Sequence, residues 1–165
     1  MGEIEAVLAA LNAAGVRYLI VGGVAVVLHG HLRTTADLDL VVQLTRENAL
    51  AAVRTLARLG YRPRAPVPAE GFADPAVRAT WLSEKGMTVF SLWSDLVSGL
   101  EVDMFVAEPF DFAEVQARAL RVTLDNTTAP VVSLEDLVRM KRSVGRPIDQ
   151  EDVQALLAIA EDRKR

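Results

Sequence analysis

Two short apolar segments in the first quarter of the chain limit the folds that it can adopt. Residues 16–21 form an apolar run that ends at Gly22-Gly23, and residues 37–44 alternate before they become mainly apolar. Segments of this length and composition are typical of strands that lie in a buried sheet. The glycine pair breaks the first strand and leads into a short helix over 24–30. The chain therefore predicts a sheet in which helices connect the strands.

The remaining sequence pattern adds helices and strands after these segments. Helical spacing and capping signals predict helices over residues 3–14, 46–59, 76–85, 111–119, 133–144 and 149–163. Strand-like runs cover residues 61–64, 87–93, 100–106 and 120–124, with a hairpin-type connection over 94–99 and a proline-rich loop over 63–75. This order predicts an α+β fold with α/β character: a mixed β-sheet flanked by helices, with a helical C-terminal part.

The composition indicates a folded chain and excludes several kinds of site. Of the 165 residues, 51% are apolar and 24% are charged, which suits a chain with a core and argues against extensive disorder. We expect one domain over residues 1–165, with a core over about 16–125 and C-terminal helices over about 133–163. The chain has no cysteine, so disulfides, thiolate nucleophiles and cysteine-based metal sites are excluded.

Charge and hydropathy limit the partners that we expect. The net charge is −4 at pH 7, so bulk electrostatic binding of nucleic acid is not expected, although a local basic patch could hold RNA as a substrate. The longest apolar stretch, residues 18–28, has 11 residues and is too short for a membrane span. The N-terminus is acidic where a secretory signal would be basic. These features predict a cytoplasmic protein without a membrane partner.

The chemistry that the sequence suggests is concentrated in Asp37-Leu38-Asp39. Two carboxylates at i and i+2 on a strand point to the same face, whereas Leu38 between them points to the opposite face. Like charges this close repel and raise each other's pKa unless a cation neutralises them. Mg²⁺ suits such a site because it prefers hard oxygen ligands and tolerates water and phosphate oxygens. The spacing therefore indicates a magnesium site on this strand.

A third carboxylate, Asp103, lies in the later strand-like run over 100–106, where it alternates with apolar side chains. If the two strands are neighbours, Asp103 joins the Asp pair. Three such carboxylates can place two Mg²⁺ ions about 3.5–4 Å apart, an arrangement that activates an attacking hydroxyl and stabilises leaving pyrophosphate. Gly22-Gly23 would let the backbone approach the phosphates, and the following helix would offer its N-terminal N–H groups to them.

The segment that runs from Gly22-Gly23 through Arg33-Thr34 to Asp37-Leu38-Asp39-Leu40 resembles the signature of the nucleotidyltransferase (polymerase-β-like) superfamily. In particular, it is similar to small bacterial members of the minimal nucleotidyltransferase and AbiEii-toxin-like type. In that superfamily, a glycine-rich turn precedes Asp-x-Asp and a third Asp arrives on a later strand. The resemblance covers most of residues 16–160, and in the C-terminal part it rests on Lys141, Arg146, Asp149 and Asp152.

The resemblance implies a nucleotidyltransferase fold that binds a nucleoside triphosphate and uses Mg²⁺ at a two-metal site. The catalytic and metal-binding residues that it implies are Asp37, Asp39 and Asp103. The nucleotide-binding residues that we expect are Gly22, Gly23, Arg33, Thr34 and Lys141. For Arg33 and Thr34 the alternative is a solvated loop, and for Lys141 it is an ordinary surface lysine. The sequence leaves these alternatives open.

The function that follows is transfer of a nucleoside monophosphate to a hydroxyl on a partner protein or a tRNA, in a toxin–antitoxin context. Small-molecule acceptors also occur in the superfamily. A second hypothesis is a non-catalytic antitoxin or interaction module that has kept the fold. A third is an unrelated α/β domain with an incidental Asp pair. Three like charges kept close together favour the first hypothesis over the second.

Overall fold

The computed structural model describes residues 1–96 and 99–165 of the chain. Within these residues, seven strands form one mixed sheet, and helices pack against it. The sheet is followed by two C-terminal helices, as the sequence predicts. The predicted hairpin connection over 94–99 lies partly outside the described residues, but the strands on either side of it are antiparallel neighbours.

The strands of the sheet are, in chain order, β1 (Tyr18–Val21), β2 (Asp37–Val42), β3 (Arg62–Pro63), β4 (Val89–Trp93), β5 (Glu101–Phe105), β6 (Leu120–Thr123) and β7 (Thr128–Val131). Their order across the sheet is β3-β4-β5-β2-β1-β7-β6. The β1–β7 and β2–β5 pairs are parallel, and the other neighbouring pairs are antiparallel. Strands β1 and β2 therefore lie in the middle part of the sheet, and Asp37 and Asp39 on β2 lie there with them.

The α-helices of the described residues are α1 (Gly2–Ala13), α2 (Gly22–His29), α3 (Arg46–Arg58), α4 (Pro75–Lys85), α5 (Phe112–Ala117), α6 (Leu134–Val144) and α7 (Pro147–Arg163). Helix α1 contacts α3, whereas α2 contacts both C-terminal helices, α6 and α7. Because α2 follows β1 directly at Gly22, this contact places the C-terminal helices beside the end of a central strand.

Local sequence signals fix where several helices begin and end. The Thr45 side chain accepts a hydrogen bond from the backbone N–H of Asn48 at the start of α3, and Ser133 caps α6 in the same way. Helix α6 ends at Gly145, which has a φ of 72° and so adopts the left-handed conformation that glycine favours. These boundaries agree with the sequence-based expectation.

The structure differs from that expectation in several places, one of which is the start of α2 at Gly22 instead of 24. Strand β7 was not expected, because the four-residue segment contains Pro130, but it pairs with both β1 and β6. The loop expected over 63–75 contains a short 3-10 helix, Ala69–Ala73. Helix α7 begins at Pro147 instead of 149, because proline is readily accommodated in the first turn of a helix.

The alternation of side chains across β2 is as predicted. Leu38 and Leu40 are fully buried on one face of the sheet, whereas Asp37 is exposed and Asp39 is half-buried on the other. No helix among the described residues has both the length and the apolarity that a bilayer crossing requires.

Candidate active site

Strand register places two carboxylates side by side. Asp39 on β2 is the pairing partner of Asp103 on the parallel strand β5. Neighbouring strands lie about 4.8 Å apart, and paired residues point to the same face of a sheet. On the other side of β2, Asp39 is paired with Val21, the last residue of β1. The two carboxylates therefore lie next to each other at the turn from β1 into α2.

Gly22 forms that turn and lies against Asp39. Its φ is 66°, in the left-handed region, and a Cβ atom at this position would lie 2.1 Å from Oδ2 of Asp39. Only glycine satisfies both the backbone conformation and the contact. At Gly23, a Cβ would lie 2.7 Å from Oγ1 of Thr35, so the second glycine is required by the loop before β2. The glycine pair thus allows α2 to start close to the carboxylates.

The electrostatics of Asp39 reflect this crowding. Burial raises its pKa to about 7, and the negative charges of Asp103 and Asp37 act in the same direction. The charge of Lys141 and the backbone N–H of Gly23 act in the opposite direction. Burial also raises the pKa of Asp103, while a hydrogen bond with Ser91 opposes the shift and Asp37 adds to it. A pair of carboxylates with these environments holds a proton or a cation more tightly than isolated carboxylates do.

The residues at this site fit a divalent cation. Oδ1 of Asp103 is buried and has no hydrogen-bond partner among residues 1–96 and 99–165, so it is an available acceptor beside Asp39. Hard, anionic oxygens are the ligands that Mg²⁺ prefers. Among residues 1–96 and 99–165, however, no three acidic or histidine side chains already surround a common point as metal ligands. The fit therefore rests on the chemistry of the carboxylates and on their register.

A cavity of about 290 Å³ opens beside Asp39 and Gly22. Helix α6 and the loop after β5 provide most of its apolar lining, through Pro109, Phe110, Leu137, Met140 and Val144, and Val21 and Phe105 complete it. Lys141, Arg146 and Asp149 line it as well. Apolar walls with a few convergent charges are typical of small-molecule sites. The apolar surface of α6 and the Asp39 carboxylate therefore line the same cavity.

Buried ion pairs connect this cavity to the loop before β2. The Lys141 ammonium lies 3.2 Å from Oδ1 of Asp149 and 2.9 Å from Oδ2 of Asp152. The carboxylate of Asp152 also receives Arg33, whose Nε lies 2.9 Å from Oδ1. Lys141, Asp149 and Asp152 are all buried. We call these four side chains the charge cluster; it ties α6 and α7 to the loop that carries Arg33.

The structure places the sequence-predicted site residues in different surroundings. Gly22, Asp39 and Lys141 line the 290 Å³ cavity. Asp37 is exposed and lines a separate groove on the side of β4 and β5. The lining of this cavity does not include Gly23, Arg33 or Thr34. The Arg33 side chain binds Asp152 instead. Thr34 is exposed, and its backbone oxygen accepts a hydrogen bond from Arg33.

Other residues at the cavity were not predicted as site residues from the sequence, although Arg146 was among the residues that carry the resemblance. Phe110 and Met140 contribute apolar surface, and Arg146 binds Asp149 through its guanidinium at 2.8 Å. Asp136 lines the cavity too, and the Arg118 guanidinium holds the pKa of that carboxyl below its usual range. Phe110 lies outside the regular motifs and no spacing signal marks it. For Asp136, the only signal is its position three residues after the Ser133 cap.

Comparison with known proteins identifies the fold. No protein-family profile matches the chain. No curated protein sequence matches it either. Among solved structures, the lincomycin-bound lincosamide antibiotic adenylyltransferase LnuA is similar with a TM-score of 0.65 at 15% identity, over 96% of each chain.

Two further solved structures are similar. ANT(2")-Ia in complex with adenylyl-2"-tobramycin has a TM-score of 0.62 at 16% identity, over 99% of this chain and 90% of that one. An antigenic nucleotidyltransferase-like protein from Paracoccidioides brasiliensis has a TM-score of 0.51 at 18% identity, over 90% and 69%. At these identities the similarity concerns the fold alone. The chain has the nucleotidyltransferase fold, with a mixed seven-stranded sheet, flanking helices and two C-terminal helices.

The contact between Gly22 and Asp39 can be separated from backbone strain by a matched pair of variants. Gly15 has nearly the same φ, 68°, but a Cβ there would meet nothing within 4 Å. We expect Gly15→Ala to lower the free energy of unfolding by about 1–2 kcal/mol through strain alone. Gly22→Ala should cost clearly more, because its methyl group also displaces Asp39. Urea unfolding of both variants measures the difference, and equal losses would contradict the close contact.

The raised pKa of Asp39 predicts a pH-dependent stability. A group whose pKa is higher in the folded state stabilises the fold below its unfolded pKa, near 3.8, and this contribution is lost as pH rises towards about 7. In EDTA at pH 8, Asp39→Asn should therefore raise the melting temperature by about 3 °C for each kcal/mol of repulsion removed. At pH 4, the same substitution should leave the melting temperature nearly unchanged or lower it. Asp125→Asn, at an exposed turn, serves as the control. A pH-independent effect of Asp39→Asn would contradict the shift.

Removal of Lys141 should destabilise the fold because it leaves Asp149 and Asp152 buried with fewer cationic partners. We expect Lys141→Met to lower the free energy of unfolding by about 3 kcal/mol, as measured by urea denaturation. Lys164→Met removes a lysine from an exposed pair with Glu161 and should leave the urea midpoint nearly unchanged. Similar small effects of the two substitutions would show that the charge cluster does not hold the C-terminal helices.

Proposed function

We propose that this protein transfers a nucleoside monophosphate from a nucleoside triphosphate to an acceptor hydroxyl, with Mg²⁺ as cofactor. The observation that carries the proposal is the register of Asp39 with Asp103 on adjacent parallel strands, beside the Gly22 turn. Two half-buried carboxylates whose pKa values are both raised, mainly by burial, are costly to keep ionised, and a nucleotide-bound cation would explain why they are together. The shared fold of two adenylyltransferases supports the same reaction class.

The proposed metal ligands are Asp37, Asp39 and Asp103. Bound Mg²⁺ would supply charge neutralisation for the triphosphate and for the leaving pyrophosphate. The free Oδ1 of Asp103 supports its place in this set. Asp37 is exposed on β2, two residues from Asp39, and so has the freedom to turn towards the same ion.

The nucleotide would occupy the cavity beside Asp39. Its apolar lining from α6 and from Phe110 suits a nucleobase, and Lys141 and Arg146 suit phosphate oxygens. The N-terminus of α2, which begins at Gly22, offers backbone N–H groups to the phosphates. Arg33 would act on the site through Asp152 and not by direct contact with the nucleotide.

In the proposed reaction, the acceptor oxygen forms a bond to the α-phosphorus while the bond to pyrophosphate breaks. The acceptor proton passes to a carboxylate, for which Asp103 is the candidate because its raised pKa suits proton uptake. Asp39 and Lys141 hold the donor in place, and the apolar cavity wall excludes water from the nucleotide. No further group of the chain is needed for the balance of atoms.

The sequence-based hypothesis of a partner protein or tRNA as acceptor, in a toxin–antitoxin pair, remains a hypothesis. Of the two similar adenylyltransferases, LnuA is known in a lincomycin-bound form and ANT(2")-Ia in complex with adenylyl-2"-tobramycin. A small-molecule acceptor is therefore an alternative for this chain. A non-catalytic module is the other alternative, and it predicts no transfer to any acceptor.

The reaction is tested by incubation with each α-labelled nucleoside triphosphate, Mg²⁺ and three acceptor pools: protein from a lysate, tRNA and small hydroxylated compounds. We expect label in one pool, and Asp103→Asn should lower the transfer rate by at least about a hundredfold. Asp125→Asn, which lies away from the site, should transfer at the wild-type rate.

Calorimetry distinguishes the non-catalytic alternative. The proposal predicts nucleotide binding that needs Mg²⁺ and is lost in the Asp37→Asn/Asp39→Asn double variant. Binding that survives this double substitution would contradict metal-mediated recognition. The lack of both transfer and nucleotide binding would favour an interaction module.

A further inference from the structure

The ion pairs around Lys141 contain one more cation than carboxylates. The charge cluster has two cations, Arg33 and Lys141, and two carboxylates, Asp149 and Asp152. Arg146 adds a third cation, because its Nε lies 2.8 Å from Oδ2 of Asp149. With three positive and two negative side chains, the group carries a formal charge of +1 beside the 290 Å³ cavity.

Each carboxylate of this group has an arginine partner of its own. Asp149 accepts hydrogen bonds from the backbone N–H and from Nε of Arg146, at 3.1 and 2.8 Å. Asp152 accepts one from Nη2 of Arg33 at 3.1 Å. Lys141 donates to Oδ1 of Asp149 at 3.2 Å, and its ammonium lies 2.9 Å from Oδ2 of Asp152. Because an ammonium has three N–H donors, Lys141 can bind an acceptor in the cavity while both carboxylates keep their arginines.

Arg33 supplies its charge from outside the cavity. The described residues that line the cavity do not include Arg33 or Asp152. The Arg33 guanidinium lies close to the first turn of α2, since a Cβ on Gly23 would be 2.8 Å from its Nη2. The Arg33 and Asp152 side chains are 19% and 1% exposed, so water screens their charges only weakly. Arg33 therefore changes the electrostatic potential around Lys141 without lining the space that a ligand would fill.

We propose that Arg33 is a positioning residue for the donor triphosphate: it neutralises Asp152, so that the charge of Lys141 is available to phosphate oxygens in the cavity. Without Arg33, the cations Lys141 and Arg146 would face two buried carboxylates, and the formal charge would be zero. Phosphate oxygens would then compete with Asp152 for the Lys141 ammonium. This inference rests on the proposed function for the identity of the donor, but the binding of a triphosphate does not depend on catalysis.

A purely structural role of Arg33 makes a different prediction. The ion pair of Arg33 with Asp152 also ties the loop before β2 to α7. Arg33→Met removes this tie together with the excess positive charge. The double substitution Arg33→Met/Asp152→Asn removes the tie as well but restores the excess of one cation. Recovery of ligand binding in the double variant therefore separates the electrostatic role from the structural one.

The test is a calorimetric titration of the full chain with magnesium tripolyphosphate, which has three linked phosphates and no base. We expect the wild type to bind it, and Arg33→Met should weaken binding by about tenfold because one positive charge near the phosphates is lost. Arg33→Lys keeps the charge and should lose clearly less affinity. Unchanged binding in Arg33→Met, equal losses in the two variants, or no binding to the wild type would overturn the proposal.

Substitution of Asp152 should have the opposite sign. Asp152→Asn alone should strengthen binding, because it removes a carboxylate that competes for Lys141. Arg33→Met/Asp152→Asn should bind at least about fivefold more tightly than Arg33→Met. Weaker binding in Asp152→Asn, or no recovery in the double variant, would overturn the electrostatic role. The comparison of Asp152→Asn with the wild type decides the sign even where Arg33→Met does not fold.

Arg163→Met is the matched control. Arg163 also ties α7 to the end of α2, because its Nη2 donates a hydrogen bond of 2.9 Å to the backbone oxygen of His29, but it lies outside the charge cluster. This variant should bind magnesium tripolyphosphate like the wild type. Circular dichroism and urea unfolding of each variant verify that the chain is folded under the conditions of the titration.

The failure of this inference can be distinguished from failure of the proposed function. Tripolyphosphate binding with the predicted variant effects but without nucleotidyl transfer contradicts the reaction and leaves the role of Arg33 in place. Nucleotidyl transfer with a Michaelis constant for the nucleoside triphosphate that Arg33→Met does not raise contradicts the role of Arg33 and leaves the reaction in place.

Discussion

The repulsion between Asp39 and Asp103 is the physical constraint on which this account depends. Parallel pairing of β2 with β5 fixes the two residues side by side, and Gly22 closes over Asp39 from the β1 end. The close contact with Gly22 limits the space around the Asp39 carboxylate. The fold therefore keeps the Asp39 and Asp103 carboxylates half-buried, and a proton or a cation must neutralise their negative charge.

The C-terminal helices complete the site from a distance in sequence. Lys141 on α6 lines the cavity beside Asp39, and its two carboxylate partners lie at the start of α7. Through Asp152, the same cluster reaches Arg33 in the loop that leads into β2. Buried ion pairs thus connect helices α6 and α7 to the loop that leads into β2. Such clusters contribute little net stability, but loss of one member is costly, so the cluster favours a single arrangement of the site.

Much of the fold follows from local signals in the sequence. The alternation around Asp37-Leu38-Asp39 correctly indicated which side chains face the core, and the Thr45 and Ser133 caps fixed two helix starts. Strand β7 could not be found in this way, because Pro130 is unfavourable in a strand and the strand exists only through pairing with β1 and β6. Its stability comes from tertiary contacts and not from local propensity.

Only part of the candidate site could be predicted from the sequence. The spacing of Asp37 and Asp39, and the strand pattern around Asp103, suggested which carboxylates share a face. The pairing of Arg33 with Asp152, 119 residues away, leaves no trace in local spacing, so the sequence could not show that Arg33 binds α7. Nor does the pattern reveal that Asp37 and Asp39 line different cavities, since strand alternation places both on the same face.

The most direct test of the central claim is an NMR titration of the Asp39 side-chain carboxyl carbon, with and without Mg²⁺ and nucleotide. We expect the Asp39 carboxyl to have a pKa of about 7 in EDTA and a lower pKa in Asp103→Asn, and binding of Mg²⁺ and nucleotide should lower the pKa markedly. An ordinary aspartate pKa in EDTA, unaffected by Asp103→Asn and by Mg²⁺ with nucleotide, would contradict it.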